Sequence, residues 1–263
     1  MFALRQIPFR LRHAAAHVRP FSQSIRGRSP WNPFSQTPRI NLWLRRLLYF
    51  GSAYYVGLKV GRISELIYLT APPVLGSTEE DLTVQKIHQW FDHNPLVKQL
   101  RGNPDWSEVY VYGNYSEEDK EQRLTSGPLG RSSGVALQKV FWNNQEKKAI
   151  NIVFFGNGTE GWPFVIHGGA LATVLDEHLA RVAIQNLPER TAVTANLDVT
   201  YRKPAFICGF YAIHATLDQE RSTDRKAYVK GEVRNYKGDV VTEATGLFVV
   251  PRGYKLRKLG ETY

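Results

Sequence analysis

The sequence of 263 residues predicts an α+β fold, in which an antiparallel β-sheet wraps around a central helix and an N-terminal helical extension precedes both. Two strand-like segments come first, one apolar helix follows, and four more strand-like segments complete the pattern. The helix, His167 to about Asn186, carries apolar residues around much of its circumference, which is typical of a buried helix.

The strands are predicted from β-branched and aromatic runs bounded by turn residues. The first two flank a turn at Asn143-Asn144, and Lys237-Gly238-Asp239 forms a tight turn between the last two. The six predicted strands are Val135–Trp142, Lys148–Phe155, Ala192–Arg202, Phe210–Leu217, Ala227–Tyr236 and Val240–Val250.

The helical extension, residues 76–112, begins with a capping signal. Ser77 and Thr78 precede three acidic residues, which predicts a helix that starts near Thr78. Pro95 predicts the start of a second, short helix that ends at Leu100. Residues 113–134 are polar and rich in glycine and serine, and they predict a long loop.

The positive charge is concentrated at the N-terminus. No Asp or Glu precedes Glu65, whereas ten Arg and Lys59 do, so this segment carries +11 and the remainder carries 10 − 11 = −1. A nearly neutral body argues against nucleic acid as a partner, because such binding needs clustered cations on the folded surface. An Arg-rich, acid-free segment is typical of a mitochondrial transit peptide, here residues 1–39, with a disordered basic tail as the alternative. We therefore expect a mitochondrial protein, in the matrix or at the inner membrane.

Residues 40–75 are predicted to form an apolar and basic linker. The uncharged run Leu47–Leu58 is shorter than the ~20 residues that a membrane-spanning helix needs. Extending it to Leu69 would include three charged residues, which are costly in hydrocarbon. A linker helix is the prediction, and weak inner-membrane association through residues 40–69 is the alternative.

The start of the central helix has the residues of a reaction site. Gly168 and Gly169 let a ligand approach the backbone closely and leave free N–H groups at the positive end of the helix dipole, which suits a developing oxyanion. Asp176 follows Gly169 by seven residues, which places it about 10 Å further along the helix axis. One reacting carbonyl cannot contact both the glycine N–H groups and Asp176 of the same helix. Two antiparallel copies of the helix would bring Asp176 of one subunit beside the glycines of the other, so we expect a homodimer, or a dimer of dimers, with shared sites.

Three motifs in order carry a family resemblance. The segment His167–Asp176 has the form His-Gly-Gly-x-x-Ala-x-x-x-Asp, and the segments Val193–Pro204 and Glu243–Phe248 continue the likeness. They resemble the PaaI-like branch of the hotdog-fold thioesterase superfamily, and in particular the mitochondrial subgroup typified by thioesterase superfamily member 4. The resemblance implies a hotdog domain at about residues 130–252, with the preceding helices as an extension of the subgroup.

The resemblance implies roles for the residues of the first two motifs. Asp176 matches the catalytic carboxylate, which activates water or attacks the thioester carbonyl itself. The Gly168 amide matches the oxyanion donor, Gly169 completes the cradle, and Thr194 matches a hydroxyl near the attacking water. His167 is expected to be structural in this turn in preference to acting as a base.

Coenzyme A contacts are implied at four further positions. Thr200 and Arg202 match positions that contact coenzyme A, and Arg225 and Lys226 match a basic pair that reaches its phosphates. The implied reaction is hydrolysis of acyl-CoA, of medium to long chain length, to free fatty acid and coenzyme A. It needs no metal or other cofactor, because coenzyme A is part of the substrate.

Some residues depart from the family pattern or allow a second interpretation. Many relatives have an Asn or Gln where this chain has Gly161, and Asn157 is a weak candidate to replace it. Glu177 and His178 are expected to be surface or interface residues. The G-x-G-x-x-G pattern of residues 156–161 is followed by Trp-Pro and not by a helix, so a dinucleotide site is rejected.

Two other functions remain open from the sequence. A hotdog hydratase or dehydratase would need a catalytic histidine paired with a carboxylate, and the Asp-x-Asn-Pro-x-His pattern of one branch is absent. A non-catalytic protein of the same fold could bind acyl-CoA or serve as a membrane-associated scaffold.

Overall fold

The computed structural model describes residues 42–70, 73–74, 76–113 and 115–253. The transit peptide predicted at residues 1–39 lies outside these ranges. The chain divides into two compact units, Met1–Ala53 and Tyr54–Tyr263, and the division falls within helix α1 (Leu42–Thr70). A helix thus forms in the predicted linker, and it is longer than the apolar run. In the described part of the chain, no helix combines the length and apolarity needed to cross a membrane.

The extension folds as its capping signals predict. Helix α2 is Thr78–His93, and the Ser77 hydroxyl accepts a hydrogen bond from the Glu80 N–H at 3.3 Å. Helix α3 is Pro95–Arg101, and the Asn94 side chain accepts one from the Leu96 N–H at 2.9 Å. Both caps satisfy N–H groups that the first turn of a helix leaves without a partner.

One antiparallel sheet of seven strands forms the body, in the order β1-β2-β3-β7-β8-β9-β6. The six predicted strands are confirmed, with β7 extending further than expected, to Thr223. The strands are β1 Ser107–Val109, β2 Val135–Asn143, β3 Lys148–Phe155, β6 Val193–Tyr201, β7 Gly209–Thr223, β8 Lys226–Arg234 and β9 Val240–Val249. A separate small hairpin consists of β4 (Glu160–Trp162) and β5 (Val165–Ile166).

Three elements were not predicted. Strand β1 has three residues, and the two strands of the β4–β5 hairpin have three and two, too few for an alternating pattern to be recognised. The loop predicted at residues 113–134 was wrong in part, because it contains helix α4, Glu117–Glu121. Ser116 caps this helix by accepting a hydrogen bond from the Asp119 N–H at 3.1 Å. A serine followed by three acidic residues was the available signal.

Helix α5, Gly168–Asn186, is the central helix and packs on one face of the sheet. Its residues Val174, Leu175, Leu179 and Val182 are completely buried in the main core. The sheet approaches so closely that a Cβ atom at Gly231 would lie 2.6 Å from Leu179 Cδ1. A sheet curled around one buried helix is the hotdog fold that the resemblance implies.

The extension covers the opposite face of the sheet. Ile87, Phe91, Val97 and Leu100 of α2 and α3 pack there in a second core, on Phe141, Ile152 and Phe154 of the sheet among others. Glu80 joins α2 to the segment before β2, since its Oε1 accepts a hydrogen bond from the Ser132 hydroxyl at 3.2 Å. The sheet therefore has an inner face towards α5 and an outer face towards α2 and α3.

The expectation of a surface or interface position is wrong for His178, whereas Glu177 is half-buried. His178 is completely buried, with its Nε2 3.3 Å from the Ala149 carbonyl, and burial lowers its pKa to about 3. Glu177 accepts a hydrogen bond from Thr125 at 2.9 Å and pairs with Arg181 at 3.1 Å. The sheet therefore buries His178, and the segment before β2 covers Glu177. Neither contact can be read from the sequence of α5 alone.

Candidate active site

The His-Gly-Gly turn, residues 167–169, begins α5. His167 is the N-cap, and its Nδ1 accepts a hydrogen bond from the Gly169 N–H at 2.9 Å. Its own N–H donates to the Thr159 carbonyl at 2.7 Å. A ring nitrogen that accepts a hydrogen bond carries no proton, so the proton of neutral His167 lies on Nε2. In this arrangement His167 holds the turn in shape.

The peptide between Gly168 and Gly169 is held at both ends. The Tyr201 hydroxyl donates to the Gly168 carbonyl at 2.7 Å, and the Gly169 N–H is bonded to His167. The Gly168 N–H has no acceptor in the described part of the chain. Of the two glycines, Gly168 therefore offers the N–H that can bind a negative charge at the positive end of α5.

Close packing explains why glycine occupies two positions here. A Cβ atom at Gly168 would lie 3.1 Å from both Cζ and Oη of Tyr201, and one at Gly161 would lie 2.8 Å from the Cα of His167. The second contact is with backbone, which cannot move aside cheaply. The Asn or Gln that many relatives have at the position of Gly161 therefore does not fit in this turn.

Tyr201 contacts the His-Gly-Gly turn, and the sequence analysis did not identify it. It ends β6, 33 residues after the glycine that it contacts. The sequence placed Tyr201 within the Val193–Pro204 motif but gave no sign that it contacts Gly168. The contact depends on how the end of β6 lies against the start of α5, which is a tertiary relationship.

Asp176 lies in the third turn of α5 and is half-buried. Its Oδ1 accepts a hydrogen bond from the Thr194 hydroxyl at 2.9 Å. Burial raises the pKa of Asp176 above its ordinary value, and the hydrogen bond from Thr194 opposes that rise. A carboxylate with a raised pKa is a stronger base than one in water.

A β-bulge in β6 lets Thr194 reach this carboxylate. Thr194 pairs with Phe248 and Asn196 pairs with Leu247, so Ala195 is the additional residue. Tyr201 and Thr194 are seven residues apart, and regular alternation would place them on opposite faces of the sheet. The bulge shifts the alternation by one, and both side chains face α5.

The predicted residues form two groups that are far apart within one chain. Asp176 and Thr194 form one group, while the His-Gly-Gly turn and Tyr201 form the other. Gly168 and Asp176 are eight residues apart on α5, or about 12 Å along its axis. A cavity of about 330 Å³ opens beside the second group, lined by Gly168, Leu171 and Tyr201 among others.

The four predicted coenzyme A residues divide between these groups. Lys226 and Val193 both pair with Val249, so Arg225 and Lys226 lie at the Thr194 end of the sheet. Thr200 and Arg202 lie at the Tyr201 end, where Thr200 faces the outer side beside Glu243. Arg202 pairs with Glu243 at 2.8 Å, and Arg225 donates to the carbonyls of Val250 and Pro251.

The single cysteine is unsuited to nucleophilic catalysis. Cys208 is half-buried, and burial, with a smaller contribution from the charge of Glu160, raises its thiol pKa to about 11. At neutral pH such a group is a thiol, whereas the nucleophile would be the thiolate.

Comparison with known proteins places these residues within a matched region. The model of the thioesterase superfamily matches residues 165–242, which include both groups. The UPF0644 protein PB2B4.06 of Schizosaccharomyces pombe is 30% identical over 184 residues, which is 68% of this chain and 71% of that protein. The acyl-coenzyme A thioesterase THEM4 of Bos taurus is 31% identical over 135 residues, 49% of this chain and 54% of that protein.

Two further proteins extend the comparison. The uncharacterized mitochondrial membrane protein FMP10 of Saccharomyces cerevisiae is 28% identical over 164 residues, 60% of this chain and 63% of that protein. The chain therefore covers less than two-thirds of THEM4 and of FMP10. Among solved structures, thioesterase superfamily member 2 from Mus musculus has a TM-score of 0.38 at 17% identity, covering 43% of this chain and 88% of that one.

Proposed function

Because this chain belongs to the thioesterase superfamily, we propose that it hydrolyses acyl-CoA thioesters to free fatty acid and coenzyme A. The observation that carries the proposal is one helix whose first N–H, that of Gly168, has no acceptor among the described residues, with a half-buried Asp176 further along. The first suits an oxyanion and the second suits a base or nucleophile. Medium- to long-chain acyl groups are the substrates that we expect.

A complete site would need two subunits. Strand β6 is at one edge of the sheet, where its backbone groups can pair with a second copy. The midpoint between Thr194 and Tyr201 falls between Leu197 and Asp198. Antiparallel pairing of two β6 strands about that point would bring Thr194 beside Tyr201 of the partner subunit. Asp176 would then face the Gly168 N–H of the partner subunit across one thioester.

The reaction would use these groups in two steps. Asp176 accepts a proton from water as the water oxygen bonds to the thioester carbonyl carbon, and the Gly168 N–H stabilises the resulting oxyanion. When the carbonyl re-forms, the carbon–sulfur bond breaks and the coenzyme A thiolate leaves and is protonated. Alternatively, Asp176 attacks the carbonyl itself, the carbon–sulfur bond breaks and the coenzyme A thiolate leaves, and water then hydrolyses the mixed anhydride to fatty acid and free Asp176. Thr194 would orient the carboxylate or the water in either route.

The coenzyme A part of the substrate would be held by cationic side chains. Arg225 and Lys226 are exposed at the Thr194 end and suit its phosphates, whereas Thr200 and Arg202 would have to contact it from the Tyr201 end. We also propose a mitochondrial location, supported by the N-terminal composition and by the likeness to FMP10. Weak association with the inner membrane through residues 40–69 stays the alternative to a linker helix.

The test of the proposed function is thiol release from a panel of acyl-CoAs of short to long chain, together with equilibrium binding of the same compounds. Turnover that peaks at medium or long chains would support the proposal. Binding of coenzyme A ligands with no turnover at any chain length would contradict it and favour a non-catalytic acyl-CoA-binding protein.

Mixing two inactive variants tests whether the site is shared. Asp176→Asn and Gly168→Val remove different groups, so a heterodimer would contain one intact site and one site that lacks both groups. We expect the separate variants to be inactive and the re-associated mixture to recover activity. A dimer that mixes, as shown by differently tagged subunits, but recovers none would rule out sharing.

Replacing Thr194 with Val is expected to move the acid limb of the pH–rate profile to higher pH. The hydrogen bond from Thr194 lowers the pKa of Asp176, so its loss raises that pKa further, and more acidic solutions then hold Asp176 in its protonated, inactive form. The measurement is kcat/KM as a function of pH. Thr245→Val, at an exposed strand position, is the matched control, and an unshifted acid limb would contradict the assignment.

Replacing Tyr201 with Phe is expected to lower kcat by about 2- to 13-fold, with little change in KM. The substitution removes one hydrogen bond to the Gly168 carbonyl, worth about 0.5–1.5 kcal/mol, and so loosens the residue whose N–H is the proposed oxyanion donor. Tyr110→Phe, at an exposed tyrosine, should leave the kinetics unchanged. A change confined to KM would indicate that Tyr201 binds substrate and does not position the turn.

A further inference from the structure

A second cavity, of about 580 Å³, lies on the outer face of the sheet. It is formed by the start of α3, by strands β3 and β7, and by residues 234–238 at the end of β8 and in the turn that follows. The volume is within the roughly 300–1,000 Å³ of small-molecule sites. The sheet separates this cavity from Gly168 and Asp176, which lie on the inner side with α5, so it is distinct from the candidate active site.

The floor and one wall of the cavity are apolar. Ile152 of β3 and Ala212 of β7 are paired in the sheet, and the Phe210 ring lies next to them. Leu96 of α3 contributes to the wall. Phe210 and Leu96 are only half-buried, so apolar surface remains in contact with water. Covering such surface with a hydrocarbon is favourable, because it removes apolar area from water.

Charged groups lie along the side of the cavity formed by β8 and its turn. Arg234, which is paired in register with Ala212, bonds to Glu232 and donates to the Gly238 carbonyl at 3.2 Å. Lys237 is exposed and forms no ion pair with the described residues. Nearby Asp239 is paired with Lys203 at 3.3 Å. Three cations and two carboxylates therefore lie here, which leaves one uncompensated positive charge, that of Lys237.

His214 completes the polar lining, at the end of the floor beyond Ala212. Burial, and then the charge of Arg234, lower the pKa of His214 below its ordinary value, so it is neutral at neutral pH. Lys148, which also acts on His214, is paired with Glu146. The cavity therefore suits a ligand with an apolar body and a single negative charge.

We propose that this cavity binds a free fatty acid, with its hydrocarbon chain over Ile152, Phe210 and Ala212 and its carboxylate towards Lys237. The choice of a fatty acid among amphipathic monoanions rests on the proposed function, since that reaction releases one. Acyl-CoA fits less well, because its several phosphate charges would meet one uncompensated cation and two neighbouring carboxylates. The protein would thus hold its product on the side of the sheet away from the reaction.

The test is titration of the full chain with laurate by calorimetry, in the presence of saturating coenzyme A, with dodecanol as the uncharged match. We expect laurate to bind more tightly than dodecanol. Lys237→Glu should weaken laurate binding about three- to tenfold, because it replaces an attraction with a repulsion. Lys98→Glu makes the same charge change at an exposed position of α3 outside the cavity and should have no effect. Ala212→Trp fills the cavity and should abolish binding.

Either of two results would overturn the proposal: no laurate binding, or binding that Lys237→Glu leaves unchanged. The second does not depend on the folding of Ala212→Trp, because Lys237 is a surface residue. Thiol release by the same preparations separates this site from the proposed function. Turnover without laurate binding would contradict only the fatty-acid site. Lys237-dependent laurate binding without turnover would contradict only the proposed thioesterase activity.

Discussion

The Asp176→Asn variant is expected to lose about 10²- to 10⁴-fold in kcat for acyl-CoA hydrolysis, the range for removal of a general base. Asparagine keeps the shape of the side chain and can still accept the hydrogen bond from the Thr194 hydroxyl. The 2.9 Å contact between the two side chains is therefore preserved. Only the ability to take a proton, or to attack a carbonyl, is removed. The measurement is single-turnover and steady-state thiol release with the preferred acyl-CoA.

Stability supplies an independent control for this variant. The pKa of Asp176 is raised in the folded protein, which means that folding disfavours its ionised form. That penalty is absent when the carboxyl is protonated and appears as pH rises above the unfolded value. A neutral asparagine avoids it, so the free energy of unfolding at neutral pH should be unchanged or higher.

The matched substitution is Asp105→Asn, at an exposed loop position, which should leave both activity and stability as they are. An Asp176→Asn protein that unfolds more easily and loses activity in proportion would indicate a structural carboxylate. Full activity in a folded Asp176→Asn protein would exclude both the base and the nucleophile roles.

Replacing Gly168 with Val is expected to lower kcat by about 10²- to 10³-fold, as loss of one oxyanion donor does. A Cβ atom there already lies 3.1 Å from the Tyr201 ring, and the two methyl groups of valine extend further from the backbone. Either Tyr201 or the turn must move, and both movements disturb the peptide that presents the Gly168 N–H. The measurement is kcat and KM for the same acyl-CoA.

Gly253→Val is the control, because no atom lies within 4 Å of a Cβ atom built at that glycine. We expect that variant to behave as wild type. Substrate affinity should change less than kcat in Gly168→Val, because the oxyanion exists only as the reaction proceeds. A rise in KM with kcat unchanged would show that Gly168 lies in the path of the substrate and does not stabilise the oxyanion.

The sequence by itself determined the elements whose signals are local. Alternation and turn residues predicted the six long strands, and the start signals at Ser77 and Pro95 lie where α2 and α3 begin. The spacing of Gly169 and Asp176 on one helix already showed that a single subunit would not bring them together. Such features depend on residues within one or two turns or within one strand, so the chain itself records them.

Only the tertiary structure decided which residues meet across long separations. Tyr201 bonds to Gly168 from 33 residues away, and the bulge at Ala195 turns Thr194 towards Asp176. The sheet buries His178, and the segment before β2 covers Glu177. A bulge changes the face of every residue beyond it, and a covering segment changes burial without changing the helix that it covers. Each depends on packing between elements distant in the chain, which local sequence patterns do not encode.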